Sequence, residues 1–243
     1  MSSLIQFNGV YKSYPNESVG VKEALISIFK KKENICHKLH STLENITFSV
    51  EKGQSFGLVG HNGAGKSTLL SLIFGALRPD QGGITVNGSI LPLLSLGSGF
   101  HPELTGKENI FLFNSIQGVS ISETKEKYDS ICAFSELGTD AINKPIRTYS
   151  SGMVARLGFS TVTALQGDII LIDEILGVGD HNFQKKCRRF LEEFKQNNGT
   201  LVIASHDDNS IKDLCDQGLA LKNGRVECAG NIIDVMKFYE GNR

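Results

Sequence analysis

Residues 60–68 read GHNGAGKST, a glycine-rich run closed by a lysine and two hydroxyls. The spacing of Gly60, Gly65, Lys66 and Ser67 matches the phosphate-binding loop pattern, set between a short apolar run, QSFGLVG, and a helix start, KSTLLSLIFGAL. The glycines let backbone N–H groups turn inward on a phosphate, and the helix N-terminus adds its partial positive charge. Lys66 would reach the β- and γ-phosphates and Ser67 would ligate Mg²⁺. The whole stretch of Gly60, His61, Asn62, Gly63, Ala64, Gly65, Lys66, Ser67 and Thr68 is the candidate cradle.

The run IILIDE, residues 169–174, would complete such a site. A buried strand ending in Asp173 places a carboxylate at the sheet's C-terminal edge, where open α/β folds bind ligands. Asp173 suits the Mg²⁺ shell, and Glu174 is placed to polarise an attacking water. His206 follows the apolar run LVIAS and would lie at the same edge, close to a γ-phosphate. A second small and polar cluster, YSSGM at 149–153, precedes an apolar helical stretch. Taken alone it is only a turn.

These groups need strands and helices to hold them. LIQFNGVYKSY at the N-terminus alternates like a strand, and ENITFSV (44–50) resumes strand character. Between them VKEALISIFKKK (21–32) carries Val21, Ala24, Leu25, Ile28 and Phe29 at helical spacing, with a basic tail running to His40. Residues 15–42 therefore read as an insertion between neighbouring strands. The helix from Lys66 is expected to run to Leu77, where Arg78-Pro79-Asp80 stops it, and Gly82-Gly83 introduces a strand, ITVNG. Residues 103–165 are expected to be largely helical, with a cap at Ser120 or Ser122. DIILID and LVIAS are continuous apolar runs suited to a sheet covered on both faces. Strands alternating with helices imply an α/β core with an inserted helical subdomain.

The 243 residues suit one large α/β domain. Lysine plus arginine number 25 against 26 acidic residues, a net charge of −1, which gives no electrostatic case for a nucleic-acid partner. Five dispersed cysteines without a CxxC pair read as reduced thiols rather than a disulfide frame or a zinc site. No signal peptide and no run of eighteen apolar residues is present.

Together, the phosphate loop, the Asp-Glu pair and YSSGM resemble the ATPase subunit of ABC transporters over nearly the whole chain. The implied fold is a P-loop NTPase core with an inserted helical subdomain and an N-terminal antiparallel β part. In that family two ATPase domains pack head to tail, and each ATP lies between one P-loop and the other subunit's signature. YSSGM stands at the signature position, so Ser150, Ser151 and Gly152 would serve the partner's ATP. The helix is expected to begin near Met153. The resemblance likewise matches Tyr14 to the aromatic residue that stacks on adenine, LGVGD (176–180) with Asp180 to the loop touching the opposite site, and His206 to the switch histidine.

One position departs from the family. Its usual glutamine, tied to Mg²⁺ and water, is missing from LPLLSLGSGF (91–100), where Ser95 or Ser98 would have to substitute. With FHPELTGKENI, IRTYSSGMVARLGFS and ILGVGDHNFQKKC, that stretch resembles the branch exporting lipid-linked O-antigen, capsule and teichoic acid chains. The resemblance implies a homodimer on two integral-membrane permease subunits, at the cytoplasmic face of the bacterial inner membrane. The permease would handle the lipid-linked polysaccharide. The last helix, IIDVMKFYEGNR, ends at Arg243, so no C-terminal carbohydrate-binding domain is expected. Soluble ABC-type ATPases of translation or DNA repair, the competing class, carry two cassettes or a long coiled-coil insert, and neither is seen here.

Overall fold

The computed structural model describes residues 3–15, 39–94, 96–173, 179–205 and 207–242, with Pro15, Leu39 and His40 as backbone only. The helix expected over 21–32, along with Ser95, Glu174 and His206, lies outside the described residues. Strands β1 (Ser3–Pro15), β2 (Leu39–Glu51) and β4 (Gln81–Val86) form an antiparallel sheet in the order β2-β1-β4. The pairing of β1 with β2 continues out to Pro15 and Leu39, so both strands run further than the apolar alternation indicated. Polar residues such as Ser13 and Ser41 face each other there. They carry no apolar period, and only the ladder itself reveals them.

The second sheet has the order β5-β6-β7-β3-β8-β9, built from β3 (Ser55–Gly60), β5 (Ile90–Leu93), β6 (Ile169–Asp173), β7 (Thr200–Ala204), β8 (Gln217–Lys222) and β9 (Arg225–Asn231). All its pairings are parallel except β8 with β9. Alternate residues of one strand enter opposite cores. Ile170 and Ile172 join one cluster, and Ile169 and Leu171 join another. Both faces being dry, the strands read as unbroken apolar runs.

One face is covered by α1 (Lys66–Ile73) and the antiparallel sheet, through Leu69, Leu70, Phe7 and Ile46. The other carries α5 (Ser151–Thr163), α6 (His181–Gln196), α7 (Asp208–Leu214) and α8 (Ile232–Gly241). Phe183, Cys187, Leu191 and Phe194 give α6 the spacing of a single apolar face. Burial pushes the Cys187 thiol up to about 12, so it packs as a small apolar group.

Two boundaries differ from expectation. Helix α1 ends at Ile73 and not Leu77, because Gly75 takes a left-handed φ of 79° that breaks the turn before Pro79 is reached. Strand β5 was not foreseen, since its Pro92 argues against a central strand. It lies at the sheet's edge, where a missing amide is tolerated.

Helices α2 (Gly106–Ile116), α3 (Ile121–Ser135) and α4 (Thr139–Ile142) join the start of α5 around a separate small core of Ile110, Ile131, Ile142, Ile146 and Leu157. Ser120, and not Ser122, caps α3, in a reciprocal box with Glu123. Buried Asn109 clips the loop before α2. Its oxygen accepts from the His101 amide at 2.6 Å, and its amide donates to the carbonyls of His101, Leu104 and Thr105 at 3.0, 3.0 and 2.9 Å. That loop also accepts from the Ile146 and Arg147 amides, at 2.9 Å each, just ahead of YSSGM.

Replacing Asn109 by alanine would leave the His101 amide without its acceptor and take a second donor from the carbonyls of His101, Leu104 and Thr105. Asn109→Ala is expected to lose about 2–4 kcal/mol in denaturant unfolding, with faster hydrogen exchange at His101. A loss below about 0.5 kcal/mol would show the clip to be dispensable.

Candidate functional site

The cradle forms where β3 ends and α1 begins. Gly65 holds φ 110° as the residue before α1, and a Cβ there would come within 2.6 Å of Leu43 and 3.1 Å of the Thr42 carbonyl. Only glycine lets the loop pass this close to β2. The Lys66 ammonium donates to the carbonyls of Gly60 at 2.6 Å and His61 at 3.2 Å, which holds the buried cation across the mouth of the loop. Asn62, Gly63, Gly65, Lys66, Ser67 and Thr68, with Thr42 from β2, line a cavity of about 170 Å³.

Two loop residues turn elsewhere. The His61 ring lies 5.5 Å from the ring of Tyr239 on α8, leaving its carbonyl as its contribution to the cradle. Ala64 is buried, and its carbonyl accepts from the Gly224 amide in the β8–β9 turn at 3.2 Å. Thr42 was not foreseen. It borders the cavity only because β2 crosses the loop in space, and nothing in the sequence marks it.

Asp173 ends β6 opposite Ala204 of β7, and Ala204 pairs with Leu58 of β3. Two strand spacings put Asp173 about 10 Å from Leu58, at the edge from which the cradle emerges. Ser67, in the cavity lining, and Asp173 at the same edge carry oxygen donors of the kind that could hold a Mg²⁺. Glu174 follows Asp173 directly, and His206 follows Ala204 by two residues of chain.

Tyr14 is half-buried near the end of β1 and pairs with His40, two rungs from Thr42 on β2. Asp80 pins that strand end, accepting from Lys12 Nζ and the Ser13 amide at 2.7 Å each. The Lys12 hydrogen bond, then the Ser13 amide, hold the Asp80 carboxyl below the usual carboxylate range. Lys12, held in this way by Asp80, lies 5.7 Å from the centre of the Tyr14 ring. Ser98 lies elsewhere, lining an apolar cleft of about 300 Å³ with Phe74, Leu96, Phe113 and Val162. The loop holding it presses on α5, where a Cβ on Gly158 would sit 2.8 Å from the Gly97 nitrogen.

YSSGM forms the start of α5, two residues earlier than expected. The Ser150 hydroxyl caps the helix by accepting from the Met153 amide at 3.2 Å. Its proton stays available to donate, and the Ser151 and Gly152 amides precede the helical ladder, which starts with Val154 donating to Ser150. This is anion-binding geometry. Asp180 caps α6, accepting from the Asn182 and Phe183 amides at 3.0 Å each, and its second oxygen pairs with Arg156 of α5. The Phe183 amide, ahead of the Arg156 charge, holds the Asp180 carboxyl below its ordinary range.

A phosphate cradle on a central parallel strand, with a carboxylate two strands away at the same edge, defines a P-loop nucleotide-binding protein. Within that class the ABC transporter family matches residues 43–177, and this chain belongs to that family. It is 38% identical to an O-antigen export system ATP-binding protein, RfbB, of Klebsiella pneumoniae, over 99% of this chain and 98% of the relative. It is 37% identical to the teichoic acids export ATP-binding protein TagH of Bacillus cereus, over 98% of this chain and 43% of that protein. In fold it resembles the dimeric ATP-binding cassette MJ0796 bound to ADP and Pi, at a TM-score of 0.74 and 20% identity, covering 94% of this chain and 98% of that one.

Two substitutions separate the cation from the loop's shape. Lys66→Ala is expected to weaken nucleotide binding by at least about tenfold, because it removes the charge nearest the phosphates. Gly65→Ala keeps every ligand but strains a left-handed position against Leu43, and is also expected to lose about tenfold. Titration of each folded variant with nucleotide checks both. Wild-type affinity in Lys66→Ala would remove the lysine from the site.

Proposed function

We propose that this chain is the ATP-hydrolysing subunit of an ABC transporter that exports a lipid-linked surface polysaccharide, of the O-antigen, capsule or teichoic acid kind. The observation that carries the reading is end-to-end similarity to an O-antigen export ATP-binding protein, joined to an intact phosphate cradle. ATP with Mg²⁺ is the substrate. Gly60, His61, Asn62, Gly63, Ala64 and Gly65 supply backbone around the phosphates, while Lys66 and Thr68 hold them. Ser67 and Asp173 ligate the metal, Glu174 orients the attacking water, His206 meets the γ-phosphate, and Tyr14 stacks on adenine.

Ser150, Ser151 and Gly152 serve the ATP of a second copy packed head to tail, and Asp180 stands beside that interface. The exposed position of Ser150 and Ser151 at a helix start supports this, since a cradle facing solution needs a partner to close it. Among the described residues no helix is long and apolar enough to cross a membrane. Translocation would therefore fall to two permease subunits, with this chain docked on them at the cytoplasmic face of the inner membrane. We place the helical subdomain at about 103–165.

Glu174→Gln keeps the side chain's shape and removes its basicity. It is expected to bind ATP normally, accumulate an ATP-bound dimer and lose nearly all hydrolysis, and turnover within about tenfold of wild type would take Glu174 out of the chemistry. Site sharing has its own test. A Ser150→Arg subunit mixed with a Lys66→Ala subunit forms dimers with one intact composite site, so the mixture is expected to exceed both parents in ATPase activity. Simple averaging of the two parents would point to self-contained sites. Co-purification with a membrane permease after gentle solubilisation tests the transport assignment.

A further inference from the structure

Tyr149 stands directly before Ser150, at the end of a 3₁₀ turn over Ile146–Thr148. Its half-buried ring packs against the small core of Ile110, Ile131, Ile142, Ile146 and Leu157. The hydroxyl at the far end of that ring donates to the Ala141 carbonyl of α4 at 2.6 Å. Burial pushes the phenol's pKa up, so at neutral pH the oxygen keeps the proton it donates. Room for this oxygen comes from a residue distant in sequence. A Cβ on Gly106, the first residue of α2, would sit 2.3 Å from the Tyr149 hydroxyl. It would also stand 3.1 Å from the Ile142 carbonyl and 3.3 Å from a Leu157 methyl. Gly106 is buried and does not take a left-handed φ, so the backbone there asks nothing special of glycine. What glycine supplies is space. Packing alone would be served by phenylalanine at 149, which needs no such space. The hydrogen bond is what the tyrosine adds.

That bond, with the Tyr149 amide donating to the Ile146 carbonyl at 2.8 Å, fixes the residue at both its backbone and its tip. The next residue, Ser150, is exposed and caps α5 from an extended conformation, φ −70° and ψ 160°. The direction of its hydroxyl is set by the peptide that leaves Tyr149. We propose that the Tyr149 hydroxyl is a positioning group for Ser150, holding the first turn of α5 in the orientation that receives the γ-phosphate of the partner's ATP. The inference rests on the head-to-tail reading above. Tyr149 acts through Ser150 and the Ser151 and Gly152 amides and not by contact with nucleotide. Without its hydroxyl, α5 keeps its cap, but the chain entering it is held only by the Tyr149 amide and the ring's packing.

The test uses the full-length protein carrying Glu174→Gln, in which ATP is expected to be bound and not hydrolysed. Sedimentation reads the MgATP concentration that converts half of the subunits to dimers. MgADP binding, which needs only the chain's own cradle, is titrated separately. Tyr149→Phe keeps the ring and deletes only the hydroxyl. It is expected to raise the half-dimer concentration about 3- to 10-fold, the span of one net hydrogen bond. Its MgADP affinity should stay within about twofold, since that cradle is a separate site. With Glu174 intact, KM for MgATP is expected to rise by the same factor. Gly106→Ala drives a methyl against the hydroxyl and is expected to lose at least as much. Adding Tyr149→Phe removes the oxygen that the methyl meets, so the double variant should return to within about twofold of Tyr149→Phe. Losses that multiply would mean that the two residues share no space, and would overturn the inference. A merely structural tyrosine would lower the melting temperature and leave dimerisation and KM at wild-type values, which overturns it too. If Gly106→Ala does not fold, Tyr149→Phe decides the question by the same readouts. If the Glu174→Gln protein itself never dimerises with ATP, the shared-site reading falls and takes this inference with it. Normal dimerisation of Tyr149→Phe overturns the inference alone.

Discussion

A parallel sheet buried on both faces leaves the chain very little room for chemistry. Residues of β6, β7 and β3 alternate between two dry clusters, and their backbone groups are consumed by the ladders on either side. A charge within those strands would be left unpaired at a cost of several kcal/mol. Polar groups must therefore gather where the strands end. Lys66 and Ser67 follow the exit of β3 and Asp173 ends β6, all at that edge. The phosphate cradle is the C-terminal exit of one of the two central strands.

Around that exit the fold supplies walls that the loop lacks. β2 passes close enough to Gly65 that a single added carbon would collide. The β8–β9 turn bonds to Ala64 and also accepts from the Glu44 amide of β2 at 2.7 Å. The cradle is thus held between the antiparallel sheet and the last hairpin. Its shape belongs to three distant segments as much as to its own glycines.

The helical subdomain is a packed body with its own small core, and it also meets the core beneath the sheet through Phe134, Phe159 and Val162. Asn109 extends that body to the loop at 101–105, whose residues His101, Pro102 and Glu103 are exposed. A partner that pushes on this loop would move the start of α5, since the Ile146 and Arg147 amides tie the two together.

Much of this was written locally. Backbone amides around a phosphate need glycines at set spacing, and a strand covered on both faces needs an apolar run. GHNGAGKST, IILID and LVIAS therefore declared the cradle, the strand that ends in Asp173 and the sheet from a few adjacent residues. The cap of α3 was legible to within Ser120 or Ser122 for the same reason, since a cap bonds to an amide three residues away. What stayed hidden depends on residues far apart in sequence. Thr42 reaches the cavity only because β2 crosses Gly65, His61 turns aside only because Tyr239 lies beside it, and Arg156 is an ordinary helix arginine until α6 brings Asp180 against it. Pro92 hid a strand that only an edge position could permit. Short-range hydrogen bonding and burial periodicity were determined by the sequence alone, whereas which distant surfaces touch was decided when the two sheets and the helical subdomain packed together.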